Sequence, residues 1–195
     1  MRTALSLATA AVWIAALSGA PVAAQKKDKK PDDETAILGN AFDPTFRDNA
    51  PEGGLLVGFQ IGLGRFVKDD IIVAVRPIYR TKQGDGFGKQ HGANMNRMVS
   101  VKAKPGYAIG GITAKAALSV HGFKITFMKV NKDGTLDPTD TYDSDWIGGV
   151  GGGKETVLGG DGTRIIGIVG KKDKNDCTGL GLLLDKPAAK KPDPK

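Results

Sequence analysis

Glycine rules out most of what this chain might otherwise fold into. Twenty-eight of its 195 residues are glycine, and an interior glycine costs a helix roughly 0.5–1 kcal/mol relative to alanine. Between Ile37 and Asp185, Gly and Pro recur every several residues, and no window of a dozen residues offers a good amphipathic helix. The dominant pattern is alternation. In "ITAKAALSV" the apolar set Ile112, Ala114, Ala116, Leu118 and Val120 alternates with Thr113, Lys115, Ala117 and Ser119. A period of two sends those sets to opposite faces of a strand. "MVSVKAK" alternates Val99, Val101 and Ala103 in the same way, and "DDIIVAVRPIY" is a β-branched run. "FKITFMKV" follows an expected turn at His121-Gly122, and "RIIGIVG" and "TGLGLLL" flank the polar turn "KKDKND". Many short strands with glycine-rich turns predict a closed all-β architecture. Ten to twelve strands are expected in one domain, 51–185, with Leu56, Val73, Ile112, Ile125, Ile166 and Leu182 inside. Residues 37–50 are expected as an irregular arm packing Phe42 and Phe46 onto that domain.

The ends read differently. Arg2 precedes an apolar run from Ala4 to Leu17, and Val22 and Ala24 stand at −3 and −1 of a cleavage before Gln25. Residues 1–24 therefore read as a secretory signal peptide, which predicts a secreted, periplasmic or cell-envelope protein with no transmembrane segment. Residues 25–36 and 186–195 are charged, contain Pro and have few large apolar groups, so a disordered linker and a disordered basic tail are expected. The formal charge is +7. Between Ile37 and Asp185, however, Lys and Arg outnumber Asp and Glu by only three. With aromatics at 6% of the chain, a basic face interleaved with stacking rings is not expected, and no specific nucleic-acid partner is predicted.

Three stretches invite a chemical reading. "GGVGGGKE" spaces Gly148 and Gly153-Lys154 like a phosphate-cradling loop. A P-loop needs Ser or Thr after the Lys and a helix behind it. Glu155 follows instead, and "TVLGGDG" cannot propagate a helix, so a connection between strands is expected. "NKDGTLDPTDTYDSDW" offers Asp137, Asp140, Asp143 and Asp145 as oxygen ligands for Ca²⁺, alongside the plainer reading of Asx-turns in a solvated loop. Calcium is the one cofactor this sequence suggests. Cys177 is the only cysteine, so no intramolecular disulfide can form. Asp176 beside it raises a thiol pKa, and no nucleophile elbow surrounds Ser100, Ser119 or Ser144. An enzyme is not expected.

A resemblance adds to this. "LLVGFQIGLGRFVKDDIIVAVRPIYRTKQGDGFGKQHG", with Tyr79 ending a strand and a glycine-rich loop closing on His91-Gly92, is similar to the jacalin-related lectin domain. "GDGTRIIGIVGKKDKNDCTGLGLLL" resembles that family's closing hairpin. The wording as a whole resembles exported bacterial, planctomycete-like proteins. The resemblance implies a β-prism I, with three four-stranded sheets about a pseudo-threefold axis. It also implies sugar binding at one apex by an N-terminal glycine element and a Gly-x-x-x-Asp loop between the last two strands. Here Gly53-Gly54 stand for the glycine element. Lys174 falls where the loop Gly belongs and Thr178 where the Asp belongs, with Asn175 and Asp176 between them. The expected function is an exported, non-catalytic module binding a polysaccharide or glycan. The alternative is a structural or protein-interaction domain of the cell envelope, and self-association into a homo-oligomer stays open.

Overall fold

The computed structural model describes residues 33–185 apart from 52, 93 and 94. The expected signal peptide, most of the charged linker and the basic tail lie outside the described residues. Thirteen strands follow in chain order: β1 (Leu38–Gly39), β2 (Thr45–Asn49), β3 (Leu55–Phe66), β4 (Asp69–Thr81), β5 (Gly84–Phe87), β6 (Met98–Lys102) and β7 (Tyr107–Ala116). They continue with β8 (Val120–Val130), β9 (Leu136–Asp143), β10 (Ile147–Gly148), β11 (Glu155–Gly159), β12 (Ile165–Lys172) and β13 (Cys177–Leu184). No helix occurs among the described residues.

The strands form three antiparallel sheets, ordered β1-β13-β12-β2, β5-β4-β3-β6 and β10-β8-β7-β11. In the third, β9 and β10 lie along one edge of β8, β9 against Thr126 to Val130 and β10 against Gly122 and Phe123. Ser144 spans the gap. Its N–H donates to the Ile125 carbonyl at 2.8 Å, and its Oγ accepts from the Ile125 N–H at 2.9 Å. One edge strand is thus broken and mended by a hydroxyl, and each sheet is four strands across.

The inward faces meet around Phe59, Ile61, Ile109, Phe123, Ile125, Ile165, Ile168 and Leu182, all fully buried. Phe59 and Phe123 contact edge to face, with centroids 6.0 Å apart. β13 is buried along all eight residues. Each buried aliphatic contributes about 1.5–3 kcal/mol, and with the lone thiol buried this interior holds the domain together without cross-links.

Several expectations change. Residues 37–50 are not an irregular arm: β1 and β2 are the outer strands of the first sheet, bonded to β13 and β12. Even residues 33–36, expected within the disordered linker, pair with β13. Leu184 N–H donates to Asp33 O at 2.7 Å, and Leu182 N–H donates to Thr35 Oγ1 at 2.9 Å. The physical reason is the open edge of β13, whose backbone groups need partners. Phe46 is buried as expected, whereas Phe42 is 92% exposed. Ile166 is only half-buried, because the register shift between Ile165 and Gly167 reverses the phase and turns Ile165 and Ile168 inward. The strand expected through Val120 stops at Ala116, and a turn over Ala117–Ser119 leaves Leu118 75% exposed. His121-Gly122 then falls inside β8 and forms no turn.

Strand direction sorts the loops into two ends. β2 leaves its sheet at Asn49 and leads within a few residues to Leu55, so the starts of β3 and β12 share one end. The hairpin turns after Phe66, Ala116 and Lys172, the loop between β1 and β2, and the glycine-rich link between β10 and β11 gather at the opposite end, the loop end.

Candidate functional site

The two halves of the expected apex do not meet. β12 pairs β2 from Gly167 opposite Asn49 to Lys171 opposite Thr45. The hairpin Asp173–Asp176 follows Lys172, beyond the Thr45 end, while Gly53 and Gly54 follow Asn49 at the other. Five strand residues separate them by ~17 Å or more at about 3.4 Å each. Gly54 instead donates its N–H to Pro51 O at 2.8 Å, and Gly53 lies beside Lys82 and Gln83. The antiparallel course of β2 carries Gly53 and Gly54 away from the hairpin.

What the hairpin meets is the loop Asn40–Pro44, which joins β1 to β2. Thr178 Oγ1 donates to Asp43 Oδ2 at 2.6 Å, Asn40 Nδ2 donates to the same oxygen at 3.0 Å, and Lys172 N–H donates to Pro44 O at 3.1 Å. Asn40 N–H donates to Thr178 O at 3.0 Å, and Asn40 Oδ1 accepts from the Phe42 N–H at 2.9 Å. The approach needs glycine at position 39. Its φ is +114°, and a Cβ there would stand 2.1 Å from Thr178 O. Thr178 is buried and serves as the fastener between the two segments.

The hairpin itself is closed by Asp173 N–H donating to Asp176 O at 3.1 Å. The Asp173 carboxylate accepts from the Asn175 and Asp176 N–H groups at 2.7 and 2.6 Å, and those donors hold it below the usual carboxylate range. Lys174 and Asn175 stand exposed at the tip. Asp176 differs. Partial burial, and then the nearby Asp173 charge, push its carboxyl upward, and no hydrogen bond or ion pair among the described residues reaches that carboxylate. The two segments therefore present one partly buried acceptor, Asp176, and one bare ring, Phe42.

The four aspartates proposed for Ca²⁺ do not converge, and no three acidic, imidazole or thiol groups among the described residues are placed to hold a metal ion. Asp137 caps Thr139, accepting from its N–H and hydroxyl at 2.8 and 2.7 Å. Asp140 accepts from Tyr107 Oη at 2.6 Å and Lys129 Nζ at 2.9 Å. Asp143 accepts from Lys124 Nζ at 2.6 Å and Thr126 Oγ1 at 2.8 Å. Each of these three is held below the ordinary carboxylate pKa by its donors. Asp145 follows the strand break. The reason is pairing: β9 is a strand, and it spreads its carboxylates along an edge.

No protein-family model and no curated protein matches the sequence. Solved structures do match. The mannose-binding lectin from Champedak is 12% identical, with 78% of this chain and 96% of that one covered at a TM-score of 0.56. The mannose-specific jacalin-related lectin from Morus nigra, solved with mannose, is 15% identical over 83% and 99%, at 0.57. The prostate-specific WGA16 glycoprotein lectin is 15% identical over 80% and 99%, at 0.54. This chain has the β-prism fold of the jacalin-related lectins.

Within that β-prism, the other sequence candidates have structural tasks. Lys154 ends the link between β10 and β11 with no helix behind it. Gly151 and Gly152 in that link leave no room for side chains against the His121 ring. Cys177 is buried, and desolvation pushes its thiol up to about 12. Tyr79 and His91 both turn to Asp48 of β2, tying the first sheet to the second. Sequence reasoning missed Asn40, Phe42 and Asp43 as apex residues. The signal was present in "LGNAFDP", where Gly, Asn and Asp-Pro in six residues mark a built turn.

Proposed function

We propose that this chain is an exported, non-catalytic glycan-binding module whose sugar is held where loop Asn40–Pro44 meets hairpin Asp173–Asp176. One observation carries the reading. The partly buried Asp176 carboxylate has no donor among the described residues, beside the Thr178–Asp43 bond that joins the two segments. Such a carboxylate is free to accept hydrogen bonds from the adjacent hydroxyls of a sugar, and a hydrogen bond to a charged group is among the stronger ones. Phe42, on the loop that the hairpin packs against, offers an exposed apolar face on which a sugar ring can stack. Mannose oligosaccharides are the class to try first, since the matched Champedak and Morus nigra lectins are named for mannose.

Titration calorimetry with mannose oligosaccharides, backed by a glycan array, tests this. Binding is expected, and Asp176→Asn and Phe42→Ala should each weaken it by about tenfold, the equivalent of one lost hydrogen bond to a charged group or a ring contact. Neither substitution should move the melting temperature by more than a few degrees. An array with no ligand, or unchanged affinity in both variants, would count against the proposal.

A further inference from the structure

The loop end carries a second kind of surface. Phe66 and Val67, at the tip of the β3–β4 hairpin, are 61% and 81% exposed, and Leu118, at the tip of the β7–β8 hairpin, is 75% exposed. Phe66 and Leu118, with Ile71, Ala117, Ser119 and His121, line a shallow recess of about 180 Å³. Val150, 70% exposed, stands beside them, because its neighbour Gly149 packs on Asp70 O and Gly151 on His121. Half of the exposed large apolar side chains in the described residues thus cluster on two hairpin tips and one loop. Isolated exposed apolar residues need no explanation, but a cluster does.

Val67 sharpens the point. Its φ is +58°, a left-handed conformation that is an outlier for a β-branched residue. Glycine or asparagine would relax it, and the side chain buries almost nothing in return. Around the cluster, Arg65, Lys68 and Lys154 are exposed, and Lys68 and Lys154 make no ion pair among the described residues. Of the acids nearby, Asp70 is bonded through both oxygens to Arg97 at 2.8 and 2.9 Å. Glu155 faces Lys115 at 3.5 Å, which leaves Asp69 as the opposing charge.

We infer that the loop end docks on an anionic lipid surface. Phe66, Val67, Leu118 and Val150 enter the acyl boundary, and Arg65, Lys68 and Lys154 meet headgroup phosphates. Apolar tips ringed by cations are the arrangement that binds an interface, because burial and attraction to anionic lipid add. A second copy of the chain fits less well. Four side chains on protruding tips fall short of the roughly 800 Å² per partner that a stable dimer buries.

Sedimentation with sugar-free vesicles tests this apart from any glycan site. Vesicles of equal parts phosphatidylcholine and phosphatidylglycerol should carry the protein down, and pure phosphatidylcholine much less, with the difference shrinking as salt rises. Phe66→Ser with Leu118→Ser should cut partitioning at least tenfold. Val67→Gly should weaken binding while keeping or raising the melting temperature, which separates docking from misfolding. Lys68→Glu with Lys154→Glu should remove the preference for anionic lipid. The inference is overturned if the protein stays in solution, ignores lipid charge, or binds equally after the serine pair. A dimer in sedimentation velocity that the serine pair abolishes would also overturn it, in favour of self-association.

Discussion

Tyr79 and His91 bond to the same residue, Asp48, from a different sheet. Tyr79 Oη donates to the Asp48 main-chain oxygen at 2.7 Å and lies 3.0 Å from Oδ1, while His91 Nε2 lies 3.2 Å from Oδ2. Lys89 N–H also donates to Oδ2, at 2.7 Å. His91 is buried, is bridged to Val75 through its backbone, and stacks on Phe46 with centroids 3.8 Å apart. The residues that carried the sequence resemblance on β4 and its following loop are thus a structural corner, remote in role from the apex.

Asp48→Ala should therefore destabilise strongly. It leaves the Tyr79 hydroxyl its main-chain acceptor but strands the buried His91 imidazole and the Lys89 N–H, and each unsatisfied group costs about 1–3 kcal/mol. Tyr79→Phe removes one bond and should cost about 1 kcal/mol. Urea unfolding should show both as shifts of midpoint with little change of slope.

The same corner predicts acid sensitivity. Burial lowers the pKa of His91, and the Asp48 carboxylate opposes this only in part. The folded state thus favours neutral imidazole, so stability is full above the unfolded value of about 6.5 and is lost as pH falls through the lower folded value. Melting temperature followed downward from neutral pH should decline in the wild type. The decline should flatten in His91→Gln, measured against that variant's own neutral value.

At the apex, Gly39→Ala should be far worse than an ordinary glycine substitution. The φ of +114° and the 2.1 Å clash with Thr178 O would push β1 away from β13, for a loss of roughly 1–3 kcal/mol from backbone strain alone. Thr178→Val keeps shape but removes the donor to Asp43, and should cost about 1 kcal/mol. Thr178→Ser should restore most of it. Thermal melts distinguish the three.

Calcium should leave the protein unmoved. Asp137, Asp140 and Asp143 already accept from hydroxyls, lysines and a backbone N–H, so millimolar Ca²⁺ should not raise the melting temperature. A rise that Asp140→Asn abolishes would show that those partners yield to a cation.

Period-two alternation and the density of glycine were enough to declare an all-strand fold. They also placed Leu56, Val73, Ile112, Ile125 and Leu182 inside, because burial on one face of a strand is written in every second residue. They could not announce the turn at Ala117–Ser119, which contains neither Gly nor Pro, nor the bulge that turns Ile166 outward. The apex lay further out of reach. Asn40 and Asp43 are more than 130 positions from Thr178, and only the pairing of β2 and β1 with the last hairpin brings them together.

Local chemistry belongs to the chain itself. A residue's face, its turn propensity and its charge follow from its neighbours in sequence, so fold class and the polar closing hairpin were readable there. Which loops share an end, and which carboxylates are spent on a lysine or left open, depend on strand order and register. Those are settled only when three sheets close on one core and every edge must find a partner.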